Sequence, residues 1–204
     1  MGCVLLLVGI AVAGCGGSAI SLPHPLSHYV VSTANGFVSY PSDPENEPGS
    51  NPAGSSAGSL TLAGAAYMDC AGIGQDTLRS DHWIASYLRI WVDNPSNPGA
   101  DLFLCVSEFG STADASRAFS AVRGSHGTSG FPSGEVSSIS VPGVPNVQAV
   151  RVAIGAAVVL EGVVFATGSF VVTLHGGPVA LSTSAPSVPI SQVALAEYHA
   201  LPSS

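Results

Sequence analysis

From His82 to Val92 the chain reads HWIASYLRIWV, rich in β-branched and aromatic residues, and period-two alternation divides it into two faces. Ile84, Ser86, Leu88, Ile90 and Val92 make one face; Trp83, Ala85, Tyr87, Arg89 and Trp91 make the other. Positions 83, 87 and 91 also suit a helix, but the composition and the Asn94-Pro95 turn that follows favour a strand. Leu102 to Phe109 is apolar on both faces, the pattern of a central strand. Ser111-Thr112-Ala113-Asp114 then opens a helix as a capping box with Asp at its fourth position. Its apolar stripe is Ala115, Ala118, Phe119 and Val122, and Gly124 supplies the stop. Four more strands are predicted at 136–141, 147–154, 157–166 and 170–174, separated by Pro142-Gly143, Gly155 and Gly168-Ser169. Connections this short imply antiparallel pairing. Ile190 to Leu201 closes the chain as a short amphipathic helix ended by Pro202.

The pattern changes towards the amino terminus. Residues 41–59 (PSDPENEPGSNPAGSSAGS) hold almost nothing to bury and read as a flexible excursion. Before them, Asn35-Gly36 stands between two β-rich runs and predicts a hairpin over 28–40 that docks on the main domain, since an isolated hairpin is marginal. Residues 15–27, small and polar with Pro23 and Pro25, read as a tether, and Val4 to Ala13 is a ten-residue apolar run. That run is too short to span a bilayer and suits a signal-peptide core. The expected organisation is a signal segment 1–14, the tether, the hairpin, the excursion and an α+β domain over 60–204. This domain should be a mainly antiparallel sheet of about five to seven strands with two or three helices packed on it. The apolar stretch 152–170 invites a second membrane reading, but Glu161 at its centre and its Gly and Val content make it a strand pair.

Composition sharpens the class. The chain has 204 residues, 46% of them apolar and 9% charged, with a formal charge of −8. Apolar content this high excludes a wholly disordered chain, and five basic residues are too few to neutralise a row of phosphates, so no nucleic-acid partner is expected. All five are Arg, and the absence of Lys beside abundant Gly, Ala, Val and Pro points to a GC-rich, actinobacterial-type genome.

Val12-Ala13-Gly14-Cys15, at the end of the apolar run, resembles the lipobox of bacterial lipoproteins. The resemblance implies cleavage before Cys15, which would carry the lipid, and a protein held on the extracytoplasmic side of the cell membrane; secretion is the alternative. Two or more acyl chains hold a protein stably, whereas one does not. Cys3 would leave with the signal, so Cys70 and Cys105 remain as an even pair in an oxidising compartment. Their bridge would close a loop of 36 residues, valued at about 3.8 kcal/mol by chain entropy; two buried free thiols are the alternative.

Candidate chemistry is sparse. Gly54-Ser55-Ser56-Ala57-Gly58 matches G-x-S-x-G formally, but it lies in the excursion and not on a strand-turn-helix elbow. His24 and His28 have metal-ligand spacing for a helix that Pro23 and Pro25 oppose. Asp81-His82 is half of an acid/base pair, or simply a turn before a strand. Glu108, Glu161 and Glu197 read as outward-facing or hydrogen-bonded carboxylates. No metal or cofactor motif is found, so none is implied. The one positive candidate is the aromatic face Trp83, Tyr87, Arg89, Trp91: left open it would bind a small molecule or an envelope protein, and covered by helices it is a second core face.

The order of a strand ending Glu108-Phe109, an Ala-rich helix, Val141-Pro142-Gly143-Val144-Pro145, a strand hairpin and a terminal Ala/Leu helix makes residues 83–201 resemble small envelope lipoproteins of PsbP-like α+β type. The resemblance implies a non-enzymatic envelope component, with a small envelope hydrolase using Asp81 and His82, or a purely structural interaction protein, as alternatives.

Overall fold

A computed structural model describes residues 22, 24–40, 57–68, 70, 74–96, 98–125, 135–154, 157–178 and 188–202. It is an α+β fold built on one antiparallel eight-stranded sheet. The strands are β1 (Val38–Ser39), β2 (Ala57–Leu60), β3 (Trp83–Val92), β4 (Ala100–Phe109), β5 (Glu135–Ser138), β6 (Gln148–Ile154), β7 (Ala157–Thr167) and β8 (Phe170–Pro178). The helices are α1 (Leu62–Tyr67), α2 (Gln75–Ser80), α3 (Thr112–Ser125) and α4 (Ile190–Ala200), with a single 3-10 turn at Leu26–His28. Across the sheet the order is β1, β3, β4, β8, β7, β6, β5, and β2 shares the outer edge of β3 with β1.

The central strands are apolar on both faces because both faces are covered. On one face α1, α2 and α3 bring Ala65, Leu78, Ala115, Ala118 and Val122 against Leu88, Ile90, Phe109 and Val171. On the other, the 3-10 turn and α4 bring Leu26, Val30, Ile190, Val193 and Ala194 against Trp91, Leu104, Val163, Phe165 and Leu174. The predicted stripe of α3 is the face it buries. Its first turn is capped as the sequence indicates: Ser111 Oγ accepts the Asp114 N–H at 3.1 Å.

Residues 152–170 form strands, with Glu161 of β7 paired to Arg151 of β6. Among the described residues no helix is long and apolar enough to cross a membrane.

Three expectations need correction. The hairpin over 28–40 reduces to a turn at Asn35-Gly36, where Gly36 sits at φ +78°, closed by one bridge between Ala34 and Phe37. The run before it is not a strand, because Val30 and Ala34 are drawn into the core, while Val38 and Ser39 pair with Val92 and Trp91 of β3 instead. The tether ends before Ser27, since Leu26 is buried in the same core. The excursion ends before residue 59: Ala57–Leu60 is β2, paired with Arg89–Ser86, and 41–56 lie outside the described residues, as do the signal segment and Cys15.

Candidate functional site

Strand β3 carries the face singled out by sequence, and the structure divides it. A register shift between Trp83 and Ala85 inserts one extra residue, Ile84, so that Trp83 opposes Phe109 and Ala85 opposes Glu108. A bulge of this kind reverses side-chain alternation. Trp83 therefore joins the Leu88 and Phe109 side of the sheet, where its Nε1–H donates to Ser86 Oγ at 2.8 Å. Ser86 in turn bonds the buried Ser107 hydroxyl at 2.7 Å. Ala85, Tyr87 and Trp91 stay on the opposite side.

That opposite side is covered. Trp91 is 1% exposed, and its Nε1–H reaches the Ser32 carbonyl at 3.4 Å. Tyr87 and Arg89 are half-buried, with the guanidinium 5.8 Å from the Tyr87 ring centroid. Above them lies Glu197 of α4, fully buried. Its Oε2 accepts the Val31 N–H at 2.9 Å. Glu197 Oε1 and Arg89 Nε are both enclosed without a hydrogen-bond partner among the described residues. Burial pushes the Glu197 carboxyl up to about 7, against the opposing pulls of the Val31 N–H and the Arg89 charge. Glu108, on the same side and 6% exposed, is also pushed up by burial.

Cys70, just beyond α1, and Cys105, in mid-β4, are joined by a disulfide with Cα atoms 5.5 Å apart. The bridge lies in the core beneath α1 and α2, which settles the choice between a bridge and two buried thiols.

At the other end of β3, Asp81 and His82 form a polar cluster with the start of α3. His82 sits at φ +51°, in the left-handed region, and its Nδ1 lies 3.1 Å from Asp114 Oδ1. Ser111 Oγ donates to Asp114 Oδ2 at 2.6 Å, and Arg117 bridges both acids, reaching Asp81 Oδ1 at 3.1 Å and also Asp114 Oδ1. The Ser111 hydrogen bond, aided by His82 and Arg117, holds the Asp114 carboxyl below its usual range despite burial. The Arg117 guanidinium is pushed up by its bonds to Asp81 and Asp114. Sequence indicated Asp81-His82 and the Ser111-Asp114 cap separately; that they meet across 32 residues is a property of the fold. The Ser111 hydroxyl is bonded to the carboxylate, not to the imidazole, so it is not set up as an activated nucleophile. The His24 and His28 rings lie 4.6 Å apart, centroid to centroid, tilted by 36°, and no group of three or more His, Cys, Asp or Glu suited to a metal is found among the described residues.

No protein-family model and no curated protein matches the chain. Among solved structures it is similar to the extracellular domain of PknH from Mycobacterium tuberculosis, at 10% identity and a TM-score of 0.44, over 70% of this chain and 76% of that one. A likeness of this order assigns neither a family nor a function.

Proposed function

We propose that the chain is a lipid-anchored domain on the extracytoplasmic side of the cell membrane, with a non-enzymatic binding or accessory role towards a small molecule or an envelope protein. The observation that carries this reading is the Cys70–Cys105 bridge. Disulfides persist in oxidising compartments and are rare in the cytosol. Cys15 supplies the anchor, set one residue after Gly14 at the end of the apolar run. With Trp91 in the core and Trp83 turned to the other side, the aromatic face is not the contact surface. The polar cluster at His82 and Arg117, whose side chains are 73% and 54% exposed, takes its place as the candidate contact. Cys15→Ser should move the protein from the detergent phase to the aqueous phase, or leave its signal uncleaved. Unchanged partitioning of a variant with the rest of its amino terminus intact argues against the anchor.

A hydrolase reading draws support from one arrangement, the His82 imidazole oriented by Asp114 through Nδ1 with Nε2 directed away from that bond. It requires a nucleophile outside the cluster, since Ser111 is committed to Asp114. Loss of an envelope hydrolytic activity in His82→Ala, with the melting temperature unchanged, would favour it over the binding role.

A further inference from the structure

Glu197 is the only described residue of α4 that bonds the amino-terminal segment through its side chain: its Oε2 holds the Val31 N–H, 166 positions away in the chain. Among the described residues the segment has little else in the way of polar attachment: its other links to the sheet are the long Trp91 Nε1–H bond to Ser32 and, further along the chain, the two-residue pairing of β1 with β3 and the Tyr40 N–H on the Ile90 carbonyl. Leu26, Val30 and Ala34 add apolar contacts. The second Glu197 oxygen and the Arg89 Nε face a buried interior without satisfying each other, an arrangement that leaves an ionised carboxylate poorly compensated.

We infer that Glu197 and Arg89 form a pH-responsive latch that docks residues 26–34 on the sheet while Glu197 is protonated and loosens them as it ionises. The ionisable groups that share the Glu197 side of the sheet are Tyr87 and Arg89 of β3 and Glu108 of β4, with His28 and Tyr29 on the segment itself, while Asp101 of β4 and His175 of β8 stand on the opposite face. Tyr198 and His199 follow Glu197 on its own helix, and Glu161 of β7 is tied to Arg151. Only Arg89 acts on Glu197 through its charge. In the docked state the carboxyl titrates near 7, and in an open, hydrated state near its ordinary 4.5. The docked state thus binds the proton more tightly, so docking is strongest below the open-state value and is lost as pH rises through 7. Linkage between those two values raises the opening equilibrium about 70-fold from pH 5 to pH 8. The segment is the one that leads back towards Cys15, so the latch would set how far the domain stands from its anchor.

The test is hydrogen exchange on the full mature chain at pH 5 and pH 8, corrected for intrinsic exchange and read on peptides covering 26–34, with α3 as internal reference. The wild type should lose protection in the segment by about 70-fold while α3 does not change. Glu197→Gln should abolish the difference. Arg89→Met, which removes the opposing charge, should displace the midpoint to higher pH. Equal protection at the two pH values in the wild type, a persisting loss in Glu197→Gln, or a midpoint displaced downward in Arg89→Met would overturn the latch.

Discussion

Replacing Trp91 by Ala tests whether the aromatic side of β3 is core. The ring is 1% exposed and packs among Leu102, Leu104, Leu174 and the 3-10 turn. Removing it takes roughly 150 Å² of buried apolar surface away, worth about 4 kcal/mol at 25 cal/mol per Å², and cavity formation adds to this where the surroundings do not collapse. The lost hydrogen bond adds little, because its acceptor is the carbonyl of exposed Ser32 at 3.4 Å. The expected destabilisation is therefore about 3 to 5 kcal/mol. In a chain of 204 residues that corresponds to a fall in melting temperature of roughly 6 to 20 °C. Urea unfolding followed by circular dichroism measures it as a shift in midpoint at constant slope. A loss below about 1 kcal/mol is what an open binding face gives, and it would refute the packing described for β3.

Two further outcomes follow from the core on the other face and from the centre of the sheet. Reduction of the Cys70–Cys105 bridge should lower stability by about 3.8 kcal/mol, checked by denaturant unfolding with and without reductant; equal midpoints would show that the bridge does not constrain the unfolded chain. Gly176→Ala should destabilise by about 1 to 3 kcal/mol by overpacking. The added Cβ would stand 2.6 Å from the Asp101 carbonyl oxygen and 2.9 Å from Val188, just ahead of α4. An unchanged melting temperature would contradict that close approach.

Long periodic elements were legible because one period dominates each of them. The α3 stripe at Ala115, Ala118, Phe119 and Val122 faces the sheet, and β4, β6, β7 and β8 begin within two residues of where apolar runs and Gly/Pro punctuation place them. Helices α1 and α2 were not legible: at six residues each they are too short to show a periodic stripe. The bulge at Ile84 leaves no mark in the composition of β3, yet it moves Trp83 to the other side and turns Ile84 outward to 47% exposure. A signal for Glu197 was present. The spacing Ile190, Val193, Ala194, Glu197, Leu201 runs the buried stripe of α4 through it, which an outward-facing carboxylate does not do. Its partner, a backbone N–H in the amino-terminal segment, has no sequence signature, and neither does the pairing of His82 with Asp114.

The central claim, an exported domain held by lipid at Cys15 and braced by a disulfide, is tested most directly by the intact mass of the native protein extracted from membranes. The account predicts a chain that begins at Cys15, carries at least two acyl chains and loses the mass of two hydrogens relative to its reduced form. An unacylated chain with its amino-terminal segment retained, or free thiols at Cys70 and Cys105, would contradict it.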